Sequence, residues 1–199
     1  MTIRLDGLVL AGGASRRMGQ DKGLLTHPAG GTWVEHARRT LLAAGCATVW
    51  ISRPCGYGNP SPDDLVDLRP QEGPLAGIER GLNATSADYL AVLASDLVGA
   101  GPALFSYLAP HLSAGTLCVL PVWHEDAQPL AGYWSPRLLS DLERFRRGGG
   151  HRVRSFLAGH PVRWIPVPQQ KWIANINTLE EWSLWESGGG DSPSQGGGR

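Results

Sequence analysis

Apolar positions along the chain switch repeatedly between the strand period and the helix period. "GLVL" (7–10) is a short apolar run of the kind a buried strand needs, and it ends at Gly12-Gly13. In "TWVEHARRTLLAAG" (32–45) the apolar residues take helical spacing, with Thr32 placed to cap the start and Gly45 to stop it. "ATVWIS" then reads as a second strand, completing a strand-helix-strand unit. The alternation recurs: "PLAGIERGLN" predicts a helix, "DYLAVLA" a strand, "PALFSYLAPHL" a helix and "TLCVLPV" a strand. Such repetition predicts an α/β fold, a mostly parallel central sheet with helices on both faces in three Rossmann-like layers.

After Val122 the rhythm changes. "QPLAGYW" reads as a strand, "SPRLLSDLERFRRGGG" as a helix with Pro136 near its first turn, "RVRSFLAG" as a short helix stopped by Gly159, and "VRWIPV" as a late strand. Thr178 and Glu181 have capping-box spacing ahead of a last helix in "LEEWSLWE". From Ser187 onward the Gly, Ser and Pro-rich stretch has nothing apolar to bury, which predicts a disordered tail over 187–199. The chain has 199 residues, length for one substantial core, so residues 1–186 are expected to form a single domain.

Charge narrows the function classes. Eighteen Lys plus Arg balance eighteen Asp plus Glu, so no overall field draws the protein to nucleic acid or an anionic membrane. An anion site must therefore be local. Three cysteines, Cys46, Cys55 and Cys118, show neither CxxC spacing nor a nearby His pair, which argues against a disulfide framework or a zinc site. The N-terminal apolar run is too short for a signal peptide, and no run approaches the roughly 18 apolar residues of a membrane span. A cytoplasmic location is the expectation.

A local anion site is what "LAGGASRRMGQDKG" (10–23) offers. In a parallel α/β sheet ligands collect outside the carboxyl ends of strands, and this stretch leaves the first one. Glycines let backbone N–H groups approach phosphate oxygens, and Arg16, Arg17 and Lys22 add charge. Two familiar phosphate loops are excluded. Gly19 is followed by Gln20 and Asp21 where Walker A requires GK and a hydroxyl residue, and no GxGxxG occurs. By itself the stretch is also compatible with a glycine turn leading into a solvated basic segment.

The ordered string resembles the LAGGxSxRMGxDK signature of the molybdenum cofactor guanylyltransferases, within the wider nucleotidyltransferase family that includes sugar-1-phosphate nucleotidylyltransferases. Leu10, Ala11, Gly12, Gly13, Ser15, Arg17, Met18, Gly19, Asp21 and Lys22 stand where that signature expects them. "EGPLAGIERGL" (72–82), "ASD" (94–96), "QPLAGYW", "GGHRVRSFL" and "ANINTLEEW" (174–182) resemble further family segments, so the likeness spans most of residues 5–186. It implies a nucleotidyltransferase domain, with GTP and molybdenum-molybdopterin as substrates, Mg2+ as cofactor, and transient contacts with proteins that supply and receive the molybdenum cofactor.

The resemblance also assigns roles. Leu10, Ala11, Gly12, Gly13, Lys22, Ser52, Asp67 and Asp96 are expected to bind GTP, and Arg17, Lys22 and Asp96 to carry catalysis. Asp96 ends the strand "YLAVLAS" and is the expected Mg2+ ligand; from position alone it could equally cap the following helix. A carboxylate can accept from guanine N1–H and N2–H2, and Asp67 in "LVDLRP" fits that role, with Asp63 and Asp64 as competitors. Ser52 stands where the family often has Asn, a departure with less hydrogen-bonding capacity. Arg152 matches an arginine directed at the molybdopterin phosphate, a task suited to bidentate contacts. Asn175 and Asn177, alternating about Ile176, are expected toward the pterin acceptor, with Asn177 also a possible second metal-site ligand. His151 needs no role as a base, because a phosphate monoester is already largely ionised near neutral pH. The eight tryptophans read as packing anchors. The expected reaction is attack of the molybdopterin phosphate on the α-phosphorus of GTP. Its rivals are cytidylyl transfer to the same acceptor, nucleotidyl transfer to a sugar phosphate, and non-catalytic GTP binding.

Overall fold

The computed structural model describes residues 2–11, 27, 30–58, 60–67 and 73–175. The last helix and tail expected beyond residue 178 lie outside the described residues. The first apolar run forms β1 (Leu5–Leu10), followed by α1 (Trp33–Ala43), β2 (Val49–Arg53), β3 (Asp64–Val66), α2 (Pro74–Ala84) and β4 (Tyr89–Ala94). Then come α3 (Pro102–Leu108), β5 (Cys118–Trp123), β6 (Asp126–Ala127), β7 (Ala131–Trp134), α4 (Leu139–Arg147), α5 (Val153–Leu157) and β8 (Val162–Pro166).

The strands form one sheet in the order β3-β2-β1-β4-β7-β5, with β6 and β8 both pairing β5. Pairs β1–β2, β1–β4, β2–β3 and β5–β8 are parallel, while β7 runs antiparallel to β4 and β5. This is the mostly parallel sheet that the alternating pattern predicts. β4, buried at all six positions, reads as a continuous apolar run because helices cover both of its faces.

Successive β1 residues show how the two layers attach. A methyl added at Gly7 would press on Leu41 of α1, whereas one added at Gly81 of α2 would press on Leu8 and Leu90. Neighbouring strand residues point to opposite faces, so α1 and α2 lie on opposite sides of the sheet. α1 packs with α3 and α2 with α4, completing the three layers. Thr32 caps α1 as its sequence suggests, and Glu35 completes the capping box with it, an exchange worth about 1 kcal/mol.

Two expected helices are shorter than their patterns. α3 ends at Leu108 and gives way to a 3-10 turn at Ala109–His111 around Pro110, which has no N–H to continue an α-helix. Pro136–Leu138 likewise forms a 3-10 turn before α4. Cys46 and Cys118 are core residues, and burial pushes the Cys46 thiol up to about 12, as inert packing thiols require. Among the described residues no helix is long and apolar enough to cross a membrane.

The connection after β4 is locked onto the chain's last described turn. Gly99 sits so close to the Lys171 carbonyl, in the 3-10 turn Gln170–Ile173, that any side chain would overlap that backbone oxygen. Gly99→Ala is expected to cost about 1–3 kcal/mol by displacing that turn. Gly115→Ala, which meets nothing, should stay within about 0.5 kcal/mol of wild type. Urea unfolding of both variants checks the difference.

Candidate functional site at the carboxyl end of the sheet

Strand register sets the level of every candidate group. Leu10 pairs Ala94 on one side and Ser52 on the other, and Ser52 pairs Leu65. The ladder runs one step further at each strand: Ala11 N–H donates to the Ser52 carbonyl (3.1 Å), Ser95 N–H to Leu10 (3.1 Å) and Asp67 N–H to Arg53 (2.8 Å). The backbones of Ala11, Asp67 and Asp96 therefore leave the same edge. The strand spacing of ~4.8 Å, taken over three intervals, sets the ends of β3 and β4 about 14 Å apart, with β1 and β2 between.

Asp96 is half-buried in the turn that follows β4. It does not cap the next helix: α3 begins at Pro102 with Gly101 as its N-cap residue. Leu10 and Ala11 are buried and lead directly into the glycine loop. Gly12, Gly13, Arg17, Lys22 and Asn177 lie outside the described residues.

On the β3 side the three aspartates separate. Asp63 pairs with Arg38 of α1 (2.8 Å) and Asp64 with Arg53 of β2 (2.9 Å). Burial tends to raise the Asp64 carboxyl, but hydrogen bonds from Ser61 and Arg53 outweigh it and hold the group below its ordinary value. Asp67 is the one of the three at the carboxyl end of the strand. Ser52 is 4% exposed, and its hydroxyl is pressed against Gly77 of α2 so closely that a methyl there would overlap it.

On the β7 side, Gln128 donates to the Asn175 side-chain oxygen (3.2 Å) and accepts from Leu130 N–H (3.4 Å), while the Leu130 carbonyl accepts from Ala94 N–H (2.8 Å). Asn175 is thereby connected to the end of β4, two residues before Asp96. Sequence reading passed over Gln128; its place in "QPLAGYW", noted for its likeness to a family segment, was the available signal. Arg152 is exposed at the N-cap position of α5. Its neighbour His151 places its carbonyl 3.9 Å from where a side chain would begin at Gly73, whose φ of 73° opens α2. The structure thus brings Arg152 to the α2 side of the edge and Asn175 to the β4 side.

His27, buried, stacks on His36 of α1 with ring centroids 3.6 Å apart and 7° between planes. Its Nε2 lies 3.4 Å from the Val98 carbonyl, in the same turn region as Asp96. Burial lowers both imidazoles, and the neighbouring His27 and Arg39 add to the effect at His36, which falls to about 4. At neutral pH the stack is uncharged. His27, four residues beyond the signature segment, is thereby fastened to the β4 connection.

Among the described residues no group of three or more His, Cys, Asp or Glu could hold a metal ion. Asp96 and Asn175 supply oxygen donors on the β4 side. That suits a hard cation that takes one or two carboxylates and fills the remaining positions with water and phosphate oxygens. The edge as a whole carries a carboxylate at each end, with the exit of β1 at Ala11 between them.

The sequence matches the family described as MobA-like NTP transferase domain over residues 7–164. A Mycobacterium avium (strain 104) protein named "Probable molybdenum cofactor guanylyltransferase" is 31% identical over 185 residues, covering 89% of this chain and 92% of that protein. In fold, the chain is similar to molybdopterin-guanine dinucleotide biosynthesis protein A from Archaeoglobus fulgidus, with a TM-score of 0.72 at 22% identity over 92% of this chain and 97% of that one. It is also similar to a Mycobacterium tuberculosis H37Rv protein crystallised in complex with manganese, with a TM-score of 0.68 at 15% identity over 94% and 100%.

The histidine stack generates a pH prediction. With the His36 value lowered from 6.5 to about 4 on folding, the unfolded chain takes up a proton first as pH falls through that window. Its stabilising contribution is complete above about 6.5 and is lost progressively toward about 4. His27 acts with the same sign. Urea midpoints measured across pH 7 to 4 should fall in wild type and fall less steeply in His36→Gln; parallel profiles would refute this.

Proposed function

Because the chain belongs to the MobA-like NTP transferase family, we propose that it transfers GMP from GTP to the phosphate of molybdenum-loaded molybdopterin, giving the guanine dinucleotide form of the cofactor and pyrophosphate. The observation that carries this reading is the shared level of Asp67 and Asp96 at one sheet edge, on either side of the strand that opens the glycine loop. An extended nucleotide laid across that edge reaches both, with its base at β3 and its phosphates between β1 and β4.

In the transfer, an acceptor phosphate oxygen bonds to the α-phosphorus of GTP while the bond from that phosphorus to the β-bridging oxygen breaks. The leaving electron pair goes with pyrophosphate. Little covalent chemistry falls to the protein, so positioning and charge neutralisation dominate. Backbone N–H groups of Gly12 and Gly13, with Arg17, cradle the leaving phosphates. Lys22 neutralises charge growing at the α-phosphate. Asp96, supported by the Asn175–Gln128 connection and by Asn177, would hold Mg2+, which when bound draws charge from the phosphate oxygens.

At the base end, Asp67 accepts from guanine N1–H and N2–H2. Of the three aspartates, Asp67 is the one beyond the carboxyl end of β3, at the level of Ala11 and Asp96, which supports this role. Ser52, pressed against Gly77, serves as the floor of the base site through its backbone and bulk. Arg152 takes the acceptor phosphate bidentately from the α2 side. Handover from a supplying protein and to a receiving one is the corresponding proposal for partners, since the molybdenum-loaded acceptor is labile.

The test is pyrophosphate release with Mg2+ and GTP, CTP, ATP or UTP, with and without molybdenum-loaded molybdopterin. Release should require GTP and the acceptor together; turnover with CTP in place of GTP would overturn the guanine assignment. Lys22→Ala and Asp96→Ala should each lower kcat by about 10²–10³-fold. Near-normal turnover in a folded variant would remove that residue's role.

A further inference from the structure

β3 is a poor strand by its own resources. It has three residues, Asp64–Val66, it forms the sheet edge, and none of the three is fully buried. Leu65 alone adds apolar packing against the core. The backbone bonds flanking it, Ile51 N–H to the Asp63 carbonyl (2.9 Å) and Asp67 N–H to the Arg53 carbonyl (2.8 Å), leave register weakly specified in so short a strand. A slip of one residue would move Asp67 by about 3.3 Å and reverse the face it presents.

Side chains supply the missing specification. The Asp64 side chain is 3% exposed and the Arg53 side chain 13%, and their contact is a direct Nε–H donation to Oδ1 at 2.9 Å. The second carboxylate oxygen accepts from Ser61 N–H at 2.7 Å, closing the turn before β3. The Arg53 guanidinium lies over the Tyr57 ring, 4.5 Å from its centroid, and so is held from the other side. Arg53 therefore holds β3 at two points: its guanidinium grips Asp64 and its carbonyl receives Asp67. The Arg38–Asp63 pair, with both side chains about half-exposed, grips much less firmly.

We infer that Arg53 and Asp64 are positioning residues for base selection: their covered ion pair sets the register of β3 and with it the place of Asp67. The inference rests on the reading of Asp67 as the guanine acceptor. Neither residue takes part in phosphate chemistry, so disturbing the pair should loosen the choice of base while leaving the chemical step intact.

ITP, which lacks the guanine 2-amino group, reads the effect. Wild type should prefer GTP to ITP by about tenfold or more in kcat/KM, the worth of one hydrogen bond to a charged group. Asp67→Asn should collapse that preference to within about threefold. Arg53→Gln and Asp64→Asn should move it most of the way to the same value through a raised KM for GTP, with kcat at saturating GTP within about threefold of wild type. Arg53→Lys, which keeps the charge, should recover much of the preference. If Asp67→Asn abolishes the preference while Asp64→Asn and Arg53→Gln retain it, the positioning role is wrong. An equal loss of kcat with both nucleotides at unchanged preference also overturns it. If Asp67→Asn itself keeps the preference, the reading of Asp67 fails instead. Should Arg53→Gln not fold, the near-isosteric Asp64→Asn and the conservative Arg53→Lys carry the same comparison.

Discussion

Six successive residue pairs tie β1 to β4, from Leu5–Tyr89 to Leu10–Ala94, and four tie β1 to β2. Both pairings are parallel, so the chain leaves β1, β2 and β4 at one edge and must cross back over a face of the sheet each time. The candidate groups share that edge for this reason. The crossing segments α1 and α2 bury the faces they cross, and the small residues Gly7 and Gly81 let them approach closely. A shift of β1 relative to either neighbour would separate Ala11, Asp67 and Asp96 and reverse the buried face of its apolar run.

Given that edge, the site divides along the sheet. The β3 end is narrow and electrostatically braced, with Asp64 and Arg53 nearly enclosed. The β4 end is braced by close backbone packing and uncharged hydrogen bonds instead. Gly99 lies against the Lys171 carbonyl, the Leu130 carbonyl takes Ala94 N–H, and Gln128 reaches Asn175. Bracing at both ends suits the proposed chemistry, which depends on placing a nucleotide rather than on proton transfer. The α2–α5 side adds an exposed arginine, Arg152, where a second phosphate can approach.

Much of this was legible in the chain. "GLVL", "ATVWIS" and "DYLAVLA" carry unbroken apolar runs because their strands are covered on both faces, and β1, β2 and β4 lie where those runs predict. β3 escaped notice because a three-residue edge strand beginning with aspartate has neither length nor apolar pattern; its identity comes from partners, Arg53 above all. For the same reason Asp63, Asp64 and Asp67 were indistinguishable in the sequence; their levels along β3 separate them, with Asp67 just past its carboxyl end. Asp96 had two readings because a strand-end aspartate serves a metal or a helix equally well; the start of α3 at Pro102, with Gly101 as its N-cap, removes the helix-cap reading. The His27–His36 stack joins residues nine apart through a turn and a helix face, a contact no periodicity encodes.

Whether the nucleotide lies along the edge from β3 to β4 is tested most directly by a crystal structure of the protein with GTP and Mg2+. Guanine should lie within hydrogen-bonding distance of the Asp67 carboxylate, the triphosphate beside the loop that follows Ala11, and the cation against Asp96. A base bound instead beside Arg152 and the start of α2, with Asp67 untouched, would contradict it.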